Sequence, residues 1–347
     1  MTVDVGHSRN FLLHMGSVVV VLLVTVTSLT SAEGHSQVAS QRPRIGLVLN
    51  GEGAIGFTQI GVLEWLEEHR IPVDYIAGNS IGGLVGGGYA TGMSPDEIRH
   101  FFEKIDLTVS LFLGDAPYQE KGKWSTSERI KVPGLPELNL EAYMSSKSPD
   151  IIVPLLPGIA NSYRNLRSFD DLPIPFRCQA ADLRTGQVIV LDRGSLPESL
   201  RACITLIGVS NPVRQGDRVL VSGAIVDSIP TDLVRRMGAD IVIASFTPAT
   251  TLESQGEKTD FSTPLQQLSR TLDVARMQNE REGLKRTDIV ILPDLRGYSA
   301  ADFTRLSQLI DLGHKAAEAK AASLLPFALS ESEWREYFYH RQERRIR

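Results

Sequence analysis

An α/β fold with a largely parallel sheet is predicted by three observations. From Ile45 onward, short apolar runs of strand length alternate with segments of helical period. Glycine-rich turns join the first two of these strands to the helices that follow. The 347 residues, 42% hydrophobic and 22% charged, have the composition of a folded globular protein and the length of one large domain or two small ones.

Residues 1–32 stand apart from that fold. Arg9 precedes the apolar run Val18–Val24, which continues weakly to Leu29 and ends in the small residues Thr30-Ser31-Ala32. The pattern is that of a secretory signal peptide, its apolar core shorter than the ~20 residues of a membrane span. Asp4 offsets Arg9, so an uncleaved anchor is the alternative. Residues 33–43 are polar and read as a linker. The mature chain is expected outside the cytoplasm, as a periplasmic or secreted bacterial protein.

Ile45–Asn50 has the length of a buried strand. Ile60, Leu63 and Leu66 then recur at helical spacing opposite Glu64, Glu67 and Glu68, and Pro72 ends the helix. Tyr75–Ala77 is the second strand, followed by a small-residue helix to Tyr89. Further strands are expected at Phe176–Ala181, Val188–Leu191, Val219–Val221, Ile241–Ser245 and Ile289–Leu292, with a helix at Thr231–Met237 between two of them. Residues 108–158 carry scattered Pro and Gly and suit an insertion or lid. Thr247–Thr263 reads as a surface loop within a C-terminal part, residues 247–325, that completes the domain begun at 44–246. Over residues 326–347, Ser330 and Glu333 form a capping box. The arginine-rich tail of that last helix reads as a solvated end, with membrane adhesion as the alternative.

A net charge of -5 provides no basic field for nucleic acid. Cys178 and Cys203 are too few for a disulfide scaffold, and neither has metal-site spacing. No metal or organic cofactor is implied.

Two glycine motifs carry the chemistry. Gly51-Glu52-Gly53-Ala54-Ile55-Gly56 matches the dinucleotide-binding spacing, but the acidic residue expected after the second strand is missing, since Asp74 precedes it. Bare N–H groups at a glycine-rich helix start also stabilise an oxyanion. Gly78-Asn79-Ser80-Ile81-Gly82 is a nucleophile elbow, with Gly78 and Gly82 permitting the sharp turn and Ser80 as the nucleophile. His314 and His340 lie in no loop motif, so a Ser-His-Asp triad is poorly supported.

The stretch from Arg44 to Tyr89 resembles the opening of a patatin-like phospholipase domain. Phe169–Cys178, Ala181-Asp182-Leu183, Gly194-Ser195-Leu196, Leu200-Arg201-Ala202 and Val226–Pro230 follow the same family's pattern, most like its bacterial exported members. The resemblance implies a three-layer α/β/α sandwich and hydrolysis of lipid acyl esters by a Ser-Asp dyad. Lipid or an acyl ester would be the partner, with peripheral membrane contact. Gly51, Gly53, Ala54 and Gly56 would form the oxyanion hole.

Three positions depart from the family. Ser222-Gly223-Ala224 stands where the resemblance places Asp-Gly-Gly or Asp-Gly-Ala, and a serine hydroxyl cannot accept a proton near pH 7 as a carboxylate does. Ile55 replaces a basic residue. Glu52 replaces a glycine; facing the site, it would oppose a developing oxyanion by ~4 kcal/mol for charges about 4 Å apart at an effective dielectric near 20. Asp227, Asp182, Asp217 and Glu52 itself are the alternative acids. Two functions follow: a lipid acyl hydrolase impaired by the loss of its dyad acid, or an inactive relative that binds lipid or a protein partner.

Overall fold

The first strand, β1 (Ile45–Gly51), is buried along its whole length, which is why its sequence runs apolar without alternation. After a 3₁₀ turn at Gly53–Phe57, helix α1 (Thr58–Glu68) leads to β2 (Tyr75–Asn79), which passes directly into α2 (Ser80–Ala90). The capping box Ser94/Glu97, with Pro95 in the first turn, starts α3 (Pro95–Glu103). There follow β3 (Phe176–Asp182), β4 (Val188–Leu191), α4 (Leu196–Ile204), β5 (Val213–Gln215), β6 (Arg218–Ser222) and α5 (Thr231–Met237). The remainder is β7 (Ile241–Ser245), α6 (Pro264–Leu284), β8 (Ile289–Ile291), α7 (Leu306–Glu318) and α8 (Glu331–Glu343). This computed structural model describes residues 42–104, 129–130, 138–139, 156–160, 162–205, 211–248, 264–300 and 302–345. The expected signal peptide, nearly all of the linker and nearly all of residues 108–158 therefore lie outside the described residues.

The sheet runs β8-β7-β1-β2-β3-β6-β5, with β4 also paired to β3. The five strands from β8 to β3 are parallel, whereas β4, β5 and β6 pair antiparallel. One face, with Leu47, Leu49 and Ile76, packs against α1, α2, α4 and α7; the other, with Val48, Ala77 and Ala244, packs against α5. The three-layer sandwich is thus the observed fold. Strand β5 has no counterpart among the expected strands: its three residues, Val-Arg-Gln, are too few and too polar to register as a period.

Helices α1 and α7 cross with their backbones in contact. A Cβ at Gly61 would lie 1.9 Å from the Ile310 carbonyl oxygen, and one at Gly313 would lie 1.8 Å from that of Thr58. In an open helix Gly→Ala is favourable by about 1 kcal/mol. At this crossing the sign reverses, and Gly313→Ala is expected to cost about 1–3 kcal/mol through overpacking. Urea unfolding measures it; a midpoint at or above wild type would contradict the close crossing.

The C-terminal helix corrects one expectation. It opens with the Ser330/Glu333 capping box, but its end is not simply solvated. Arg341 is 3% exposed, pairs with Glu67 at 2.7 Å and lies 3.9 Å from the Tyr89 ring centroid. Arg345 pairs with Glu97, and Arg344 donates to the Asp170 carbonyl. These arginines dock the helix on the body. Among the described residues, no helix is long and apolar enough to cross a membrane.

Candidate active site

Strand β2 turns into α2 with no loop between them, and the turn falls on Ser80. Its φ of 53° lies in the left-handed region, which costs a non-glycine residue on the order of 1–3 kcal/mol. Such strain at a serine between strand and helix is the geometry of a nucleophile elbow. Glycines make it sterically feasible. A Cβ at Gly78 would lie 2.6 Å from Gly83 Cα, and one at Gly82 would lie 2.7 Å from Asn50 Cα.

The first glycine motif is locked to the elbow. Gly51 forms a parallel backbone bridge with Ser80. A Cβ at Gly51 would meet Gly56 Cα at 2.5 Å, and one at Gly56 would meet Ile81 Cβ at 2.7 Å. Gly53 also has a left-handed φ, 52°. The two motifs therefore pack as one unit, with Ser80 buried inside it at 1% exposure.

Sheet pairing brings Ser222 to this unit. Along one edge of β3, Cys178 pairs with Gly78 of β2 and Ala180 pairs with Ser222 of β6, while β4 occupies the other edge. Strand β6 thus takes over the edge where β2 departs into α2, and its antiparallel course ends at the elbow. Ser222 N donates to the Thr205 carbonyl at 2.9 Å, and its hydroxyl accepts from Ala224 N at 3.4 Å. The register thus carries Ser222, a hydroxyl-bearing residue, to the strand edge that β2 leaves at Ser80.

Two expectations for the glycine loop need correction. Glu52 is not an uncompensated charge facing the site: Arg276 of α6 donates to its carboxylate at 2.6 Å, with buried Glu280 on the other side of Arg276 at 4.0 Å. Nor is Ala54 N–H open to an oxyanion, because it donates to the Ala300 carbonyl at 2.8 Å. Ile55 is buried in the core.

The alternative acids are engaged elsewhere. Asp182 holds the turn after β3, accepting from Arg184 N, the Thr185 hydroxyl and Val219 N. Asp217 is exposed in the β5–β6 turn. Asp74 accepts from Ile45 N at the opposite end of β1. His314 meets Glu68 and His340 meets Glu343. Asp227 comes nearest, through a chain in which Gln179 Nε2 donates to its carboxylate at 3.0 Å and Asn79 Nδ2 donates to Gln179 Oε1 at 3.3 Å.

Burial pushes the Asp227 carboxyl above its ordinary range, against the lowering effect of the Gln179 bond. A pKa raised on folding gives stability that is full below the unfolded value and lost as pH rises through the folded one. Asp227→Asn is therefore expected to raise Tm relative to wild type at pH 7, with the gain vanishing near pH 3, below the ordinary Asp value of about 3.9. Equal Tm values at both pH values would show that this carboxyl is not desolvated.

A polar group of residues at the ends of the strands was not foreseen. Both amide atoms of Asn50, the hydroxyls of Ser245 and Thr247, Gln59 Oε1 and Asn79 Oδ1 are buried with no hydrogen-bond partner. Gln59 Nε2 donates to the Asn50 carbonyl at 2.8 Å. Buried unsatisfied groups are rare, and a functional role is one of the explanations each calls for. They lie at the carboxyl ends of parallel strands, where α/β sheets bind ligands. The available signal was a polar residue closing each apolar run: Asn50, Asn79 and Ser245. Thr247, expected on a surface loop, is instead buried. Among the described residues, no group of three or more metal-ligating side chains occurs.

A strained serine between strand and helix, interlocked with a glycine loop in a three-layer sandwich, defines an α/β protein of serine-hydrolase build. The profile of the patatin-like phospholipase family matches residues 47–235, more than half of the chain. The chain therefore belongs to the patatin-like phospholipase family. An uncharacterised NTE family protein of Mycobacterium tuberculosis is 31% identical over 205 residues, covering 59% of this chain and 49% of that protein. A lysophospholipase NTE1 of Meyerozyma guilliermondii is 25% identical over 58% of this chain and 12% of its own length. This chain thus spans about half, or much less, of the curated relatives it matches. The solved structure of VipD from Legionella pneumophila superimposes with a TM-score of 0.47 at 12% identity, covering 87% of this chain and 74% of that one.

Proposed function

We propose that this domain takes a lipid acyl ester at Ser80 and hydrolyses it slowly, because a hydroxyl stands at the position of the dyad acid. The strained φ of Ser80 carries this reading. A turn without a reactive serine has no need to hold a side chain there, and glycine would occupy it without the steric penalty of a Cβ. Impairment is supported by Ser222 and by the engagement of Ala54 N–H with Ala300. The second reading, an inactive relative that binds lipid or a protein partner, is favoured by these same two observations.

A fluorophosphonate probe separates the two readings. Slow labelling of the purified protein, abolished in Ser80→Ala, is expected; a serine without base assistance is a weak nucleophile. No labelling after prolonged exposure would leave the binding function, and fast stoichiometric labelling would show that an intact base is present.

A further inference from the structure

Asn79 holds the capping position of α2, where an asparagine side-chain oxygen ordinarily accepts from a backbone N–H of the first turn. It makes no such bond. Its amide turns instead across the sheet: Nδ2 donates to the Asp227 carbonyl at 2.6 Å, to Gln179 Oε1 at 3.3 Å and to the Ser228 carbonyl at 3.4 Å. These partners lie 100–149 residues further along the chain. Three acceptors around one NH2 group fix which way the amide points, since the opposite orientation would set oxygen against oxygen. That orientation leaves Asn79 Oδ1 buried without a partner. A forgone helix cap and an orphaned carbonyl oxygen are both unfavourable. The local sequence therefore does not account for this orientation; the contact with residues 227 and 228 does.

The segment that Asn79 grasps is the one that opens at Ser222. Gly223–Ile225 form a 3₁₀ turn, closed by Val226 N and Asp227 N, which donate to the Gly223 carbonyl at 2.9 and 3.0 Å. The Ser228 hydroxyl donates to the Ala224 carbonyl at 2.7 Å. Gln179 backs the same turn from β3: its Nε2 donates to Asp227 Oδ2 at 3.0 Å, and a Cβ at Gly223 would lie 2.7 Å from Gln179 Cβ. Both Asn79 and Gln179 are buried. A left-handed φ at a non-glycine residue persists only where its surroundings over-determine it, and Ser80, the next residue, has that φ. We propose that Asn79, buttressed by Gln179, is a positioning residue: its amide ties the end of β2 to the 222–228 segment and thereby holds Ser80 in the strained conformation in which its hydroxyl reacts. This rests on the reading of Ser80 as nucleophile given above. Asn79 touches no reacting atom in this role; it acts through the backbone of Ser80.

The test follows fluorophosphonate labelling of the full chain at increasing probe concentration. This separates the rate at saturating probe from the concentration that half-saturates it. Asn79→Ala removes the amide, and Gln179→Met keeps the length of that side chain while removing the buttress. Both are expected to lower the saturating rate, Asn79→Ala by up to about 100-fold, the cost of displacing a reacting group by about 1 Å. The half-saturating concentration is expected to stay unchanged. Arg341→Ala, beside Tyr89 near the far end of α2, controls for lost stability: it is expected to lower Tm and to keep the wild-type saturating rate. Should Asn79→Ala not fold, Gln179→Met alone decides. A wild-type saturating rate in folded Asn79→Ala, or in Gln179→Met, would overturn the proposal and leave Ser80 standing as nucleophile. A raised half-saturating concentration at an unchanged saturating rate would overturn it in favour of a role in shaping the probe site. A saturating rate lowered as far in Arg341→Ala would reduce the effect to stability and overturn it too. Failure of the Ser80 reading shows separately, as absence of labelling in the wild type, and the proposal falls with it.

Discussion

Ser222→Asp is expected to raise hydrolysis of a short acyl ester by roughly 10²–10⁴-fold, the range of general-base assistance. The carboxylate would sit at the end of β6, on the strand edge that β2 vacates at the elbow. Its carboxylate can keep the bond from Ala224 N that the Ser222 hydroxyl now accepts. Read from sequence alone, Glu52 would oppose the gain and would have to be replaced as well. With Arg276 bound to it at 2.6 Å, Glu52 needs no replacement, and Glu52→Gly would remove the shorter of the two carboxylate contacts of a buried guanidinium. The lower end of the range is expected, since Ala54 N–H is spent on Ala300 and one oxyanion donor is lost. Rates are compared for wild type, Ser222→Asp, and Ser222→Asp with Ser80→Ala. Wild type matching Ser222→Asp would mean that another group already serves as base.

Arg276→Ala is expected to destabilise the fold by about 3 kcal/mol, the low end of the cost of breaking a buried ion pair. The low end applies because the Glu52 side chain keeps 26% exposure, whereas that of Glu280 keeps 6%. Removing the cation leaves two carboxylates near each other at the glycine loop with no charge between them. In the Ser222→Asp background the same change should also slow hydrolysis, because Glu52 would then act on the developing oxyanion as an unscreened charge. Urea unfolding gives the first effect and ester kinetics the second. A stability within about 0.5 kcal/mol of wild type, the scatter of surface substitutions, would show that Glu52 and Glu280 are effectively solvated.

The elbow and the glycine loop were legible in the sequence because their causes are local. The left-handed φ at Ser80 and the close approaches of Gly51, Gly56, Gly78 and Gly82 all involve residues within the first two strand-to-helix turns. Glycine spacing records such contacts directly, since only a missing Cβ fits. The capping box of α8 is equally local. Apolar runs likewise mark strands that are buried on both faces, which is why β1, β2, β3 and β7 were readable and the polar edge strand β5 was not.

Tertiary structure alone decided the electrostatics of the site. Arg276 lies 224 residues from Glu52, and nothing in the period or composition of α6 marks it as that carboxylate's partner. The same holds for Ala300 over Ala54 and for Arg341 buried beside Glu67 and Tyr89. Charge pairing and backbone hydrogen bonding act across whatever surfaces the fold brings together. They leave no periodic trace in the chain. The sequence by itself therefore determined the fold class, the serine at the strand-to-helix turn and the glycine loop beside it; which charges surround them was settled only when the sheet order and helix packing closed.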